Sequence, residues 1–313
     1  MMLICASLSA VMMRFGFLSF LFLTPLGFAA LYNNTSAWFT FTAAAIINGV
    51  ISLVFRGNSG FGLDIIYFTS IAFGFTWIMA GGIGSNQVQI RTLYRFIIAS
   101  AFGSLVLLFI IHDGRANPGL AEAISSVLIA SAGADAARRS FLEQTMTAER
   151  ILEIFRNVTL RGGAMASMLF MFYLNRRMSI IAELIVRKRK AALDLLSFHV
   201  PVNTIWCLSF SIAAVLLSRT INLSILEIAA WNVLVVCAIL FLAQGAGIVM
   251  FTLARQTFPP MVRLLLHIMI VVIIFSPGIN TIALAALVFV GIAENWLPLR
   301  APKKDGTPPT PGE

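Results

Sequence analysis

The sequence predicts an all-α protein: a polytopic transmembrane helix bundle of nine or ten hydrophobic helices. Three observations predict it. Of 313 residues, 59% are hydrophobic and 11% charged, and mean hydropathy is +0.92, whereas soluble domains carry about a quarter of their residues as charge. Apolar runs recur at about 20 residues, the length a helix rising 1.5 Å per residue needs to cross roughly 30 Å of hydrocarbon. The 22 Lys and Arg residues bunch between those runs. A net charge of +9 so distributed sets topology. The lipid bilayer is therefore the expected partner, and no nucleic acid is expected.

Eight runs lie near 38–55, 64–82, 94–111, 163–182, 198–218, 228–253, 261–276 and 278–297. Ser276, Pro277 and Gly278 mark a tight turn between the last two. The N-terminal stretch is nearly uncharged but carries Arg14 near its middle. An arginine at the centre of a span costs about 2.5–3.5 kcal/mol, so two segments, 1–13 and 15–31, are expected, with Arg14 at the far interface. Pro25 should kink the second. The stretch lacks the basic start of a signal peptide and is read as retained. Cys5, Cys207 and Cys237 sit in apolar runs without CxxC spacing and read as packing residues.

Orientation follows from the basic residues. Arg176, Arg177, Arg187, Lys188, Arg189 and Lys190 form a cytoplasmic basic patch. Alternating outward from it, the inner side receives 13 basic residues against five acidic ones, the outer side eight against eight. The C-terminus is then cytoplasmic. On this reading residues 1–300 form the transmembrane bundle and the Pro- and Gly-rich 301–313 a disordered cytoplasmic tail. Residues 112–162 form an outer-side loop with an amphipathic helix, in which Phe141, Ala148, Leu152, Phe155 and Thr159 recur at helical spacing. That helix is read as a connector on the headgroups or a lid.

No GxSxG, HExxH or GxxxxGK[ST] occurs, and His112, His199 and His267 are scattered. No catalytic residue, metal ligand or cofactor is assigned, and the chain is not expected to be an enzyme. The informative groups are polar residues within spans, each of which must be satisfied inside the bundle or line a cavity. His199, Asn203, Asn232, Gln244, Asn280 and Glu294 cluster in the C-terminal half. Asn203, Asn232 and Gln244 are the candidate ligand-binding set. Asn232 and Gln244, on one span, are read as facing one interior, where they either bind a small polar ligand or join helices. Ala6 and Ala10 make an AxxxA face, and Gly245 and Gly247 follow Gln244, so helices can approach closely at both places. The glycines of 57–62 and 81–84 read as turns.

With these features in order, the chain resembles the YybS-like family of uncharacterised bacterial multi-pass membrane proteins, which carries a domain-of-unknown-function label. The matching stretches are Phe22-Leu23-Thr24-Pro25-Leu26-Gly27, Leu195 through Pro201 leading into Trp206, Trp231-Asn232 through Ala243-Gln244-Gly245, and Gly291 through Trp296 with Arg300. Asn295 stands where the pattern carries an acid. In its first six helices that family is similar to the substrate-binding components of energy-coupling-factor transporters, and more broadly to cell-shape scaffolds of the MreD type. The resemblance implies a bacterial cytoplasmic (inner) membrane location. It also implies that Ala6 and Ala10 dock a membrane coupling subunit.

Two functions follow as expectations. One is a small-molecule binding and transport subunit, from the AxxxA face and the polar set. The other is a non-transporting scaffold that organises envelope proteins, from the basic patch.

Overall fold

A computed structural model describes residues 1–32, 37–56, 61–80, 86–110, 126, 129–130, 140, 144–187, 198–221, 223–255, 261, 265, 269, 272, 279–297 and 299–300. Among these residues the fold is helical and has no strand. The helices are α1 (Met2–Met12), α2 (Thr24–Tyr32), α3 (Ala37–Arg56), α4 (Phe61–Met79), α5 (Asn86–Ile110), α6 (Ala148–Val158), α7 (Ala164–Arg187), α8 (Thr204–Ile221), α9 (Ser224–Arg255) and α10 (Ile279–Ala293). Among the described residues, five stretches are long and apolar enough to cross a membrane: Ala37–Val54, Gly62–Met79, Arg91–Phe109, Thr204–Ile221 and Ser224–Leu253. Of the turn expected at 57–62, Phe61 and Gly62 instead begin α4. Residues 57–60, the turns expected at 81–84 and 276–278, together with His112, His267, Lys188, Arg189, Lys190, Phe141 and the tail 301–313, lie outside the described residues.

The chain divides into two compact units, Met1–Ala191 with Ala214–Val235, and Ala192–Ala213 with Val236–Glu313. In the first, α1 to α5 and α7 surround an aromatic and alanine-rich centre. Phe22 lies 5.4 Å from Phe68 and Phe75 stacks 6.1 Å from Phe172. Ala6, Ala44, Ala72 and Ala99 fill the close crossings around them. The outward faces are apolar too: Val54, Ile185 and Phe170 are exposed. Interior positions meanwhile include Ser9, Thr40, Asn48, Ser52, Asn175 and Ser179. Apolar residues outside with hydrogen-bonding groups inside is the arrangement expected when the surrounding solvent is lipid.

The N-terminal stretch breaks where Arg14 falls. α1 stops at Met12, a 3-10 turn occupies Gly16–Leu21, and α2 starts at Thr24 with Pro25 in its first turn, where the missing amide costs no helical bond. Proline thus starts a helix here and does not kink one. The broken backbone is satisfied by its neighbours: the Ser9 hydroxyl donates to the Phe22 carbonyl at 2.6 Å, and the Asn175 amide donates to the Phe20 carbonyl at 2.7 Å. The Thr24 hydroxyl donates to Asn175 Oδ1 at 2.9 Å, and the Ser179 hydroxyl reaches the Thr24 carbonyl at 2.9 Å. A side chain at Gly27 would collide with Ser179 and Phe75, so this glycine lets α2 lie against α7.

Candidate functional site

The polar centre of the second unit is built around Glu294. Pro201 disfavours helix at the residue before it, so α8 does not begin until Thr204 and the Val200 N–H is left without an intrahelical acceptor. Gln244 supplies that acceptor: its Oε1 takes the Val200 N–H at 2.7 Å while its Nε2 donates to Glu294 Oε2 at 2.9 Å. The reach is possible because α9 and α10 touch through their backbones. A side chain on Gly245 would strike the Leu287 carbonyl, and one on Gly291 the Phe241 carbonyl.

Just past the end of α10, Glu294 receives Arg300 through both Nε and Nη2, and Arg300 Nη2 also donates to the Phe198 carbonyl at 2.8 Å. A bidentate guanidinium is the geometry that best compensates a desolvated carboxylate. Side-chain exposure is 3% for Glu294 and 7% for Arg300, whereas His199, with Nε2 3.7 Å from Glu294 Oε1, is 61% exposed. The centre thus combines a sealed acid–guanidinium pair with one imidazole open to the surroundings. Asn295 donates to the Ile292 carbonyl at 2.9 Å and takes no part.

Each member of the sequence-derived ligand set has its own local hydrogen-bond partners. Twelve residues on one helix place Asn232 and Gln244 about 120° apart around the axis and roughly 18 Å along it, so the expectation that both face one interior fails on helical geometry. Asn232 donates to the Leu160 and Ile228 carbonyls, each at 2.8 Å. Asn203 is exposed and its carbonyl accepts from the Trp206 N–H at 3.1 Å, at the start of α8. Ala6 and Ala10 are fully buried in the first unit, where α1 packs on α3. As folded, the AxxxA face is covered by the chain itself.

Of the basic patch, Arg176, Arg177 and Arg187 lie on α7. Arg176 sits over Phe96, Arg177 over Tyr173, Arg187 over Tyr32, and Arg95 over Trp77, at 5.2–6.0 Å from the ring centroids. Arg187 beside Tyr32 and Arg95 beside Trp77 have the composition of a membrane interface, whereas Arg176 and Arg177 lie midway along α7.

A second charged centre was not anticipated. Arg14 pairs with Asp64 at 3.0 Å and donates to Asn48 Oδ1 at 3.4 Å and to the Ser52 hydroxyl. Asp64 reads in sequence as an outer-loop acid, but it occupies the first turn of α4, where its charge also suits the helix dipole. The available signal was Arg14 itself, since an arginine amid apolar residues needs a carboxylate nearby. Arg14 Nε and Asn48 Nδ2 are buried without a hydrogen-bond partner. Among the described residues no three of His, Cys, Asp and Glu converge as metal ligands, and none is assigned that role.

No family model, no curated protein and no solved structure matches the chain. The class is therefore defined by the helices alone: a helical protein with membrane-spanning character.

Proposed function

We propose that the chain is a polytopic protein of the bacterial inner membrane, with nine or ten spans and a cytoplasmic C-terminus. Its role is a small-molecule binding subunit of a transport system, in keeping with the YybS-like resemblance. The observation that carries this reading is the Glu294–Arg300–Gln244 centre with His199 at its open edge. Ionisable groups sealed among apolar helices are costly, and in membrane proteins they mark solute or ion pathways. A solute bearing a carboxylate or similar acceptor would compete with Glu294 for Arg300, and His199 lies where such a solute arrives.

The test is purification in a mild detergent followed by mass spectrometry of released small molecules, with uptake compared in cells with and without the gene. A ligand retained by the native protein and lost in Arg300→Gln, with helix content unchanged, supports the reading. No retained small molecule together with unaltered uptake sinks it.

A second reading, a scaffold for envelope proteins, is favoured by the arginine and aromatic surface on α7. A photocrosslinker replacing Arg177 would then capture one specific protein. Capture of lipid alone counts against the scaffold.

A further inference from the structure

α6 and α7 are separated by a kink with a physical cause. Gly162 has φ +112°, a backbone conformation that side-chain-bearing residues rarely adopt, and a Cβ there would lie 2.6 Å from Val235. The kink opens a cleft of about 440 Å³. Val158, Ala166, Trp231 and Val235 form its mostly apolar wall, and Arg161 and Asn157 supply polar groups. Arg161 is half exposed and pairs through Nη2 with Glu227 Oε1 at 3.1 Å.

The position of the cleft identifies its surroundings. Glu227 lies in the first turn of the span formed by α9, and Trp231 seven residues from that helix's start, about 10 Å along it. That is headgroup depth, where tryptophan concentrates. On α6, Ile154, Phe155 and Val158 are exposed beside the cleft, while Glu149, Arg150, Glu153 and Arg156 supply the polar face, as in a helix lying on a bilayer surface.

We propose that this cleft is a phospholipid site selecting a head that carries both phosphate and amine. Arg161 engages the phosphate with the donors Glu227 leaves free. Glu227 faces the ammonium, and an acyl chain lies along Val158, Ala166 and Val235. A neutral Arg–Glu pair matches a zwitterion. A purely anionic head meets repulsion from Glu227, so the pair confers selectivity. The occupant comes from the bilayer, so this site does not depend on the transport reading.

The test uses the full chain in mild detergent with equimolar phosphatidylethanolamine and phosphatidylglycerol, read by native mass spectrometry. The wild type should retain the ethanolamine lipid over the glycerol lipid by roughly fivefold, the scale of one charge-assisted contact. Glu227→Gln should abolish the preference while keeping phosphate-dependent binding. Arg161→Gln should weaken both lipids. Ala166→Phe, which fills the cleft and leaves the ion pair in place, should lose the bound lipid with circular dichroism unchanged. Equal retention of the two lipids by the wild type overturns the proposal, as does a preference that survives in the Glu227 and Ala166 variants.

Discussion

At the scale of single residues, stability and candidate chemistry rest on two charge centres. Removing one partner of a desolvated pair leaves the other uncompensated, at about 3 kcal/mol or more, whereas replacing both with apolar groups costs less. Arg14→Met should therefore lower the thermal midpoint in detergent more than Arg14→Met combined with Asp64→Leu. Equal losses would mean that the pair is not desolvated. Gln244 makes a similar case in the other unit. Gln244→Leu strands the Val200 N–H and removes a donor from Glu294, a loss of roughly 1–3 kcal/mol. Gln244→Glu sets two carboxylates together and should be worse, a ranking that chemical denaturation in detergent would check.

Gln244 and Glu294 were both visible in the sequence as polar residues within apolar runs. Their partnership was not, because it joins positions 50 residues apart through a contact between two glycine-bearing helices. Asp64 shows the converse. It stands at the start of an apolar run, and only the packing of α1 on α3 and of α3 on α4 brings Arg14 to it.

At the scale of elements, helix boundaries follow local chemistry. Thr147 caps α6, its hydroxyl accepting the Arg150 N–H at 3.3 Å. Thr147→Ala should cost about 1 kcal/mol locally, seen as faster amide exchange confined to α6. Gly162→Val would be strained both by its positive φ and by Val235, and should straighten or displace the α6–α7 kink. An unchanged distance between spin labels on α6 and α7 would argue against that. The amphipathic pattern of α6 was legible because its period appears within one element. The kink was not, since Gly162-Gly163 reads equally as a turn or as helix until Val235 lies opposite.

At the scale of the whole molecule, the testable property is orientation. Arg161 precedes α7 and Arg187 ends it; with 24 residues the helix is about 36 Å long, the length of a span, although Arg176 and Arg177 lie within it and it is not among the five apolar stretches. In a background lacking Cys5, Cys207 and Cys237, a cysteine replacing Arg187 should be labelled by an impermeant thiol reagent only from the cytoplasmic side. One replacing Arg161 should be labelled only from the other side. Labelling of both from one face would remove the proposed topology.

Composition alone determined that this is a helical protein with membrane character, because apolar length and the scarcity of charge are additive along the chain and need no partner to be read. Arg14 likewise had to interrupt its helix, since the cost of burying a guanidinium is local. What each buried polar group does was decided only by tertiary structure. In an apolar setting a hydrogen bond is specified by which group lies opposite, and that depends on helix rotation and close approach across 44 or more residues. Gln244 therefore became a bridge between a broken backbone and Glu294, Asn232 a tie to Leu160, and Ala6 and Ala10 part of an interior.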